Sequence, residues 1–94
     1  MIFTYVLKST IDGSQYVGMT ENPDRRLEEH NKGLVHSTKQ KKPWIRILLE
    51  EWPNRNEARQ REKYLKSAAG RRFRKNILSV SNSSINESSA ILPS

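Results

Sequence analysis

Cysteine is absent from the 94-residue chain, which excludes disulfide staples, thiolate metal sites and a cysteine nucleophile. Acidic residues are scarce: ten Asp and Glu stand against 17 Lys and Arg, leaving a net charge of +7 at pH 7. Aromatic residues make up 7% and hydrophobic residues 34%, so the core is small and the expected stability modest. No apolar run approaches the roughly 18 residues that a membrane span needs. The N-terminal stretch MIFTYVLKST has no charged region ahead of its apolar residues and no cleavage site. It reads as a strand and not as a signal peptide, and a cytoplasmic location is the simplest expectation. The length suits one domain and not two.

A strongly basic chain of this size points to a polyanionic partner, and nucleic acid is the expected one. A membrane surface fits less well, because the basic segments are not backed by a broad apolar face. The charge is uneven. Residues 1–78 hold all 17 basic residues and nine of the ten acids, so this part carries +8. Residues 79–94 contain seven serines, one acid and no aromatic residue. Such a segment buries too little apolar surface to offset its ordering entropy. The expected organisation is a domain over 1–78 followed by a flexible Ser-rich tail over 79–94.

Within 1–78 strand and helix patterns alternate. Ile2–Lys8 is rich in β-branched and aromatic residues, as a strand requires. Asp12-Gly13 signals a hairpin turn, and Gln15–Met19 reads as the returning strand. Asn22-Pro23 reads as an N-cap with proline at the first helical position, and Gly33 closes that helix. A polar, basic loop follows over 34–42. Pro43 then precedes a third strand, Trp44–Leu49. Asn54 and Glu57 have the spacing of a capping box, opening a helix to about Lys66. Ser67 can cap a last helix, Ala68 to Ile77, weakened by Gly70. The order β-β-α-β-α-α describes a small α/β domain on a three-stranded sheet.

Several residues in this frame can carry chemistry. Tyr5 and Tyr16 fall on the same face for any odd register of the hairpin. A turn centred on Asp12-Gly13 sets them four positions apart, roughly 13 Å, whereas a wider loop over Ser9–Ser14 would bring them side by side. Two ordinary strand tyrosines are the plainer alternative. Gly18 inside a strand marks a bulge or a close approach, leaving room beside Tyr16 for a helix or a phosphate. Arg26 and His30 share a helix face, and such a pair can grip phosphate and move a proton. A solvated face beside Glu28 and Glu29 is the alternative. Glu62 lies on the apolar stripe of the second helix with Ala58 and Leu65, where a carboxylate needs a partner. The partner is either a divalent metal or an arginine, Arg26 or Arg61. His36 in the 34–42 loop can reach such a site. Lys39, Lys41, Lys42 and Arg46, and Arg71, Arg72, Arg74 and Lys75, suit backbone phosphates. Trp44 and Trp52 are expected to pack in the core.

Taken together these residues resemble the GIY-YIG nuclease family over residues 2–78. Tyr5 stands at the tyrosine of the first family motif and Tyr16-Val17-Gly18 matches the second. The spacing of 11 residues between the tyrosines fits. Arg26 matches the helix arginine, His30 the residue one turn later, and Glu62 in Arg61-Glu62-Lys63-Tyr64-Leu65-Lys66 the metal-binding glutamate. Ser37-Thr38-Lys39, Pro43-Trp44 and Leu65-Lys66-Ser67 look like the small stand-alone bacterial branch, the UPF0213 type. The first tripeptide, Phe3-Thr4-Tyr5, keeps only its tyrosine.

The resemblance implies an α+β, GIY-YIG endonuclease-like fold with a three-stranded antiparallel sheet flanked by helices. It implies hydrolysis of a phosphodiester, of DNA rather than RNA, with one Mg²⁺ or Mn²⁺ on Glu62. Arg26 would neutralise charge on the phosphate, and Tyr16 would take a proton from water that Tyr5 orients, with His30 as the alternative acceptor. Gly18, His36, Lys39, Lys41, Lys42, Lys66, Arg71 and Arg72 would line the nucleic acid. With no separate targeting domain expected, specificity falls to substrate shape or a protein partner. The competing readings are a non-catalytic nucleic-acid-binding module of the same fold and a small RNA-associated protein with structural tyrosines.

Overall fold

The structure is a computed structural model that describes residues 1–83, with side chains through Ile77. Three strands, β1 (Ile2–Ser9), β2 (Gln15–Thr20) and β3 (Trp44–Trp52), form one antiparallel sheet in the order β2-β1-β3. Helix α1 (Pro23–Asn31) lies between β2 and β3 in the chain, and α2 (Arg55–Lys66) and α3 (Ala68–Ser83) follow β3. The element order matches the pattern read from the sequence. Helix α3 runs past the domain boundary expected at residue 78. The rest of the expected tail, 84–94, lies outside the described residues.

The central strand β1 separates two packing faces, because successive strand side chains point opposite ways. On one face Tyr5, Leu7 and Trp44 are buried, with Tyr16 and Leu27 against them. Leu27 belongs to α1, which covers this side. On the other face Val6, Val17 and Leu65 are buried, with Ile47, Leu48 and Phe73 beside them. Leu65 comes from α2 and Phe73 from α3. Each fully buried aliphatic side chain contributes roughly 1.5–3 kcal/mol. A bulge opposite Val6 and Leu7 lets adjacent residues of β3, Ile47 and Leu48, serve the same core.

The helix ends follow the local chemistry of their residues. The Asn22 side chain accepts from the Arg25 amide at 3.1 Å and Pro23 follows it. Asn54 Oδ1 accepts from the Glu57 amide at 2.9 Å, while Glu57 Oε2 accepts from the Asn54 side-chain amide at 3.1 Å. Gly33 has φ +79°, the left-handed geometry of a residue just past a helix end. Gly70 has a different reason. A Cβ there would lie 1.9 Å from the Tyr64 carbonyl oxygen, so only glycine lets α3 start this close to the end of α2. The weak helix former is the condition for the α2–α3 corner.

Candidate active site

The hairpin settles the relation between the two tyrosines. Tyr5 pairs with Gly18 and Leu7 with Tyr16. The register lies midway between the two considered from sequence, and Tyr5 and Tyr16 stand diagonally, two positions apart. The loop causes this. The Ser9 amide donates to Ser14 O at 2.8 Å and the Gly13 amide to Ser9 O at 3.0 Å, so four residues turn the chain, with Gly13 at φ +76°. A two-residue turn at Asp12-Gly13 is thereby corrected. The tyrosine rings lie 6.2 Å apart by centroid.

Gly18 is no bulge, since pairing with β1 continues without a shift through it. A Cβ at this position would sit 2.6 Å from the Tyr5 hydroxyl oxygen and 3.1 Å from the Tyr16 ring. The space expected to admit a helix or a phosphate is taken by the Tyr5 phenol.

His30 is fully buried behind the tyrosines. Its Nε2 lies 3.0 Å from the Tyr5 hydroxyl and its Nδ1 lies 2.8 Å from the Thr38 hydroxyl. The Thr38 hydroxyl donates to Val35 O at 3.3 Å. It therefore accepts from His30 Nδ1–H, which leaves Nε2 bare to accept from Tyr5. The imidazole also stands edge-on to Tyr16, with centroids 5.0 Å apart. Thr38, 1% exposed, carries the inner end of this chain. From the same loop the sequence singled out His36, as able to reach the site and line the nucleic acid, and His36 is exposed. The usable signal was that a buried histidine needs a partner at each ring nitrogen.

Asn31 was missed as well. Its side-chain amide accepts from the Trp44 amide and donates to Trp44 O at 3.1 Å. It thereby ties the end of α1, and His30 with it, to the start of β3. Trp44 is core, as expected, and its indole N–H donates to Thr38 O at 3.0 Å.

These surroundings keep both rings neutral at pH 7. Burial pushes the Tyr5 hydroxyl up to about 12, and the nearby charges of Tyr16 and Glu62 act in the same direction while Arg26 opposes them. Burial, aided by the Arg26 charge, holds His30 down at about 4, with Glu29 pulling weakly the other way.

Tyr16 and His30 stand against the Tyr5 ring and hydroxyl, Arg26 acts on that hydroxyl, and the Glu62 charge is felt there most weakly. Tyr16 is half-buried, and among the described residues no hydrogen bond engages its hydroxyl. Arg26 Nη1 is 3.0 Å from Glu29 Oε1. Glu62 pairs with Lys66 at 3.3 Å, and with neither Arg26 nor Arg61. Arg61 turns to the opposite face, where it grips Glu50 through two bonds of 2.8 and 3.0 Å. The Glu62 side chain is 19% exposed, and the described residues contain no group of three His, Cys, Asp or Glu that could hold a metal.

The other expected contacts divide: Lys66 and Arg71 line one pocket beside Tyr16, and the rest lie elsewhere. Lys39, Lys41 and Lys42 are exposed on the loop before β3, with Lys41 paired to Asp12 at 3.3 Å. Arg71 and Arg72 are exposed on α3. Arg46 pairs with Asp24 at 3.1 Å.

Comparison with known proteins decides the family. Residues 1–76 match the GIY-YIG catalytic domain. The chain belongs to the GIY-YIG family. Among its relatives, a UPF0213 protein of Clostridium perfringens is 36% identical over 67 residues, covering 70% of this chain and 71% of the relative. A UPF0213 protein of Nitratidesulfovibrio vulgaris is 35% identical over 65 residues, covering 68% of this chain and 58% of the relative. The solution NMR structure of a UPF0213 protein from Bacillus halodurans superposes with a TM-score of 0.50 at 28% identity, covering 85% of each chain. The structure-specific endonuclease subunit slx1 of Aspergillus terreus is 45% identical over 53 residues, which is 50% of this chain and 14% of that protein. Fold and family thus agree with the GIY-YIG resemblance, and the homology is to a nuclease domain. Among the described residues no helix is long and apolar enough to cross a membrane.

Proposed function

We propose that the chain is a metal-dependent endonuclease that hydrolyses phosphodiester bonds of nucleic acid, DNA in preference to RNA, with Glu62 holding one Mg²⁺ or Mn²⁺. The observation that carries this reading is the buried Tyr5–His30–Thr38 chain beside Tyr16 and Arg26. A purely structural aromatic core has no use for a neutral imidazole with its bare nitrogen bonded to a phenol next to an arginine. The slx1 relative, named a structure-specific endonuclease subunit, favours DNA.

Glu62 suits a divalent ion in kind. It is a half-buried carboxylate that, among the described residues, pairs with a lysine one turn away and with no arginine. Among the described residues Glu62 belongs to no group of three His, Cys, Asp or Glu, so phosphate oxygens and water would supply most of the coordination, a normal Mg²⁺ environment. Such an ion supplies positive charge against the leaving oxygen.

The protein groups divide the rest of the work. Arg26 exchanges Glu29 for a non-bridging phosphate oxygen and neutralises charge that develops there. Tyr5 keeps its proton and donates it to His30 Nε2, which leaves its oxygen free to accept. A water held between the two tyrosines passes a proton to the Tyr5 oxygen as Tyr5 passes its own to His30. The proton comes to rest on the imidazole, and the phenol, with a pKa near 12, never needs to ionise. Tyr16, whose hydroxyl is not engaged, orients the water. This assigns the proton to His30 through Tyr5, where sequence reasoning favoured Tyr16. His30 is a weak base while Arg26 is bare. A phosphate on Arg26 cancels the second cause of its depression, so the base strengthens when substrate arrives.

The test is a nicking assay on duplex, flapped and branched DNA with Mg²⁺ or Mn²⁺. Glu62→Ala and Arg26→Ala should each abolish cutting while binding persists, and EDTA should stop the reaction. Undiminished cutting by Glu62→Ala would sink the reading. Binding without cutting by the unsubstituted chain would favour the non-catalytic alternative.

A further inference from the structure

Arg74 is the one buried arginine among the described residues, 8% exposed. Its Nε–H donates to Leu65 O at 2.9 Å and its Nη1–H to Gln15 Oε1 at 2.8 Å. No carboxylate of the described residues pairs with it. A guanidinium has five donors, and burying its charge without an anion is costly. The carbonyl end of α2 supplies only a partial negative charge. Arg71, one turn earlier on α3, adds a like charge, and burial and Arg71 together push the Arg74 pKa down.

The surroundings make this more than a helix cap. A pocket of about 270 Å³ opens here, lined by Gln15, Tyr16, Val17, Lys66, Arg71 and Arg74. Three consecutive residues of β2 line it, so it sits at the open edge of that strand. Three of the six lining residues are cationic and none is acidic. Tyr16 lines it too, and connects it to the His30 cluster.

We propose that this pocket is an anion subsite that takes one backbone phosphate of the nucleic-acid strand, held by Arg74 and Arg71 with Lys66 at the rim and Gln15 fixing the guanidinium. The bound phosphate is a neighbour of the one under reaction, and the subsite sets the strand's register against Tyr16. The phosphodiester class follows from the bidentate fit of a guanidinium to a phosphate and rests on the nuclease reading given above. Gln15 is neutral, so it orients Arg74 without satisfying its charge.

The experiment measures binding of a fluorescein-labelled DNA duplex by anisotropy, with the full chain in EDTA, between about 50 and 200 mM salt. Each lost phosphate contact lowers the slope of log K against log salt by about 0.9. Arg71→Ala should lower it by that amount. Gln15→Glu, which supplies Arg74 with a carboxylate, should do the same without loss of stability. The double variant should lose no more than either single one, because both act on the same phosphate. Arg55→Ala, on the exposed arginine paired with Glu21, serves as the control and should leave the slope near the parent value. An unchanged slope in Arg71→Ala or Gln15→Glu, or additive losses in the double variant, overturns the subsite. If the slopes stay while the protein cuts DNA, the subsite fails and the nuclease reading stands. If the slopes fall as stated but no divalent ion supports cutting, the subsite stands and the nuclease reading fails. No measurable binding by the unsubstituted chain overturns both.

Discussion

The two faces of the sheet use burial differently. The core under α2 and α3 is Val6, Val17 and Leu65, side chains with nothing to hydrogen-bond, and its polar groups, Thr4 bonded to Glu50 and Trp52 and Arg61 bonded to Glu50, lie at its margin. The face under α1 buries Tyr5, His30, Thr38 and Trp44, each with a polar atom in a hydrogen bond. Aliphatic packing is non-directional and tolerates adjustment. A polar cluster in a low-dielectric site is worth little unless every member is satisfied. The first face holds the domain together. The second holds a phenol and an imidazole in one protonation state beside Arg26. Stability and chemistry are thus separated by the thickness of one strand, β1.

That separation can be broken in several ways. The largest effect is expected from Tyr5→Phe. It should cost roughly two to four orders of magnitude in cutting rate, the scale of a positioned acid–base group, beside a stability loss of about 1–3 kcal/mol from the buried His30 Nε2 left without its donor. A rate within a few-fold of the parent would mean that Tyr5 is only packing. Leu65→Ala on the other face should cost stability alone. Loss of a fully buried leucine costs about 2–5 kcal/mol, read as a lower urea midpoint, while the folded fraction keeps its DNA affinity and cutting rate.

A third contrast lies in pH. His30 titrates at about 4 in the folded chain against about 6.5 when free. The unfolded state therefore binds more protons between these values. The stability due to neutral His30 is complete above pH 6.5 and is lost as pH falls toward 4, with a slope of up to about 1.4 kcal/mol per pH unit. In His30→Gln that component of the slope should vanish, whereas Leu65→Ala should keep it. Equal slopes in parent and His30→Gln would show that the imidazole is not held neutral. Tyr5 works at the other end: its raised pKa means stability is lost as pH rises from 10 toward 12.

The smallest and most selective effect is expected from Thr38→Val, which leaves His30 Nδ1–H without its acceptor. It should cost about 1–3 kcal/mol, measured by chemical denaturation, and should slow cutting by freeing the imidazole to turn. Thr38→Ser should restore both. Failure of serine to restore either would assign Thr38 a packing role.

Much of the architecture was readable in the chain. Asn22-Pro23, Gly33 and Asn54 mark helix ends by chemistry that operates over a few residues. The β-branched and aromatic content of Ile2–Lys8 and the apolar run Trp44–Leu49 mark strands in the same local way. Tyr5, Tyr16, Arg26, His30 and Glu62 stood out as residue types whose spacing resembled a known motif. Other features were not readable because they depend on residues distant in sequence. Thr38 and Asn31 are ordinary loop and helix residues until Trp44 and His30 are set beside them. Gly18 looked like a gap, and its meaning came from Tyr5 on the next strand. Arg74 was one basic residue among several until Gln15, 59 positions away, and the end of α2 buried it.

The sequence by itself determined the element order, the basic character and the set of reactive side chains, because these rest on local conformational preference and on composition. The tertiary structure alone decided three further things. It set the hairpin register that stands Tyr5 diagonal to Tyr16, since a four-residue loop rather than a two-residue turn closes β1 on β2. It chose the proton partner, because only packing brings His30 and Thr38 behind Tyr5. It also sorted the cations, tying Arg61 to Glu50 and sinking Arg74 with no carboxylate of the described residues beside it. Charge is counted along the chain, but whether it is paired or left waiting depends on burial and on neighbours, and these exist only in the fold.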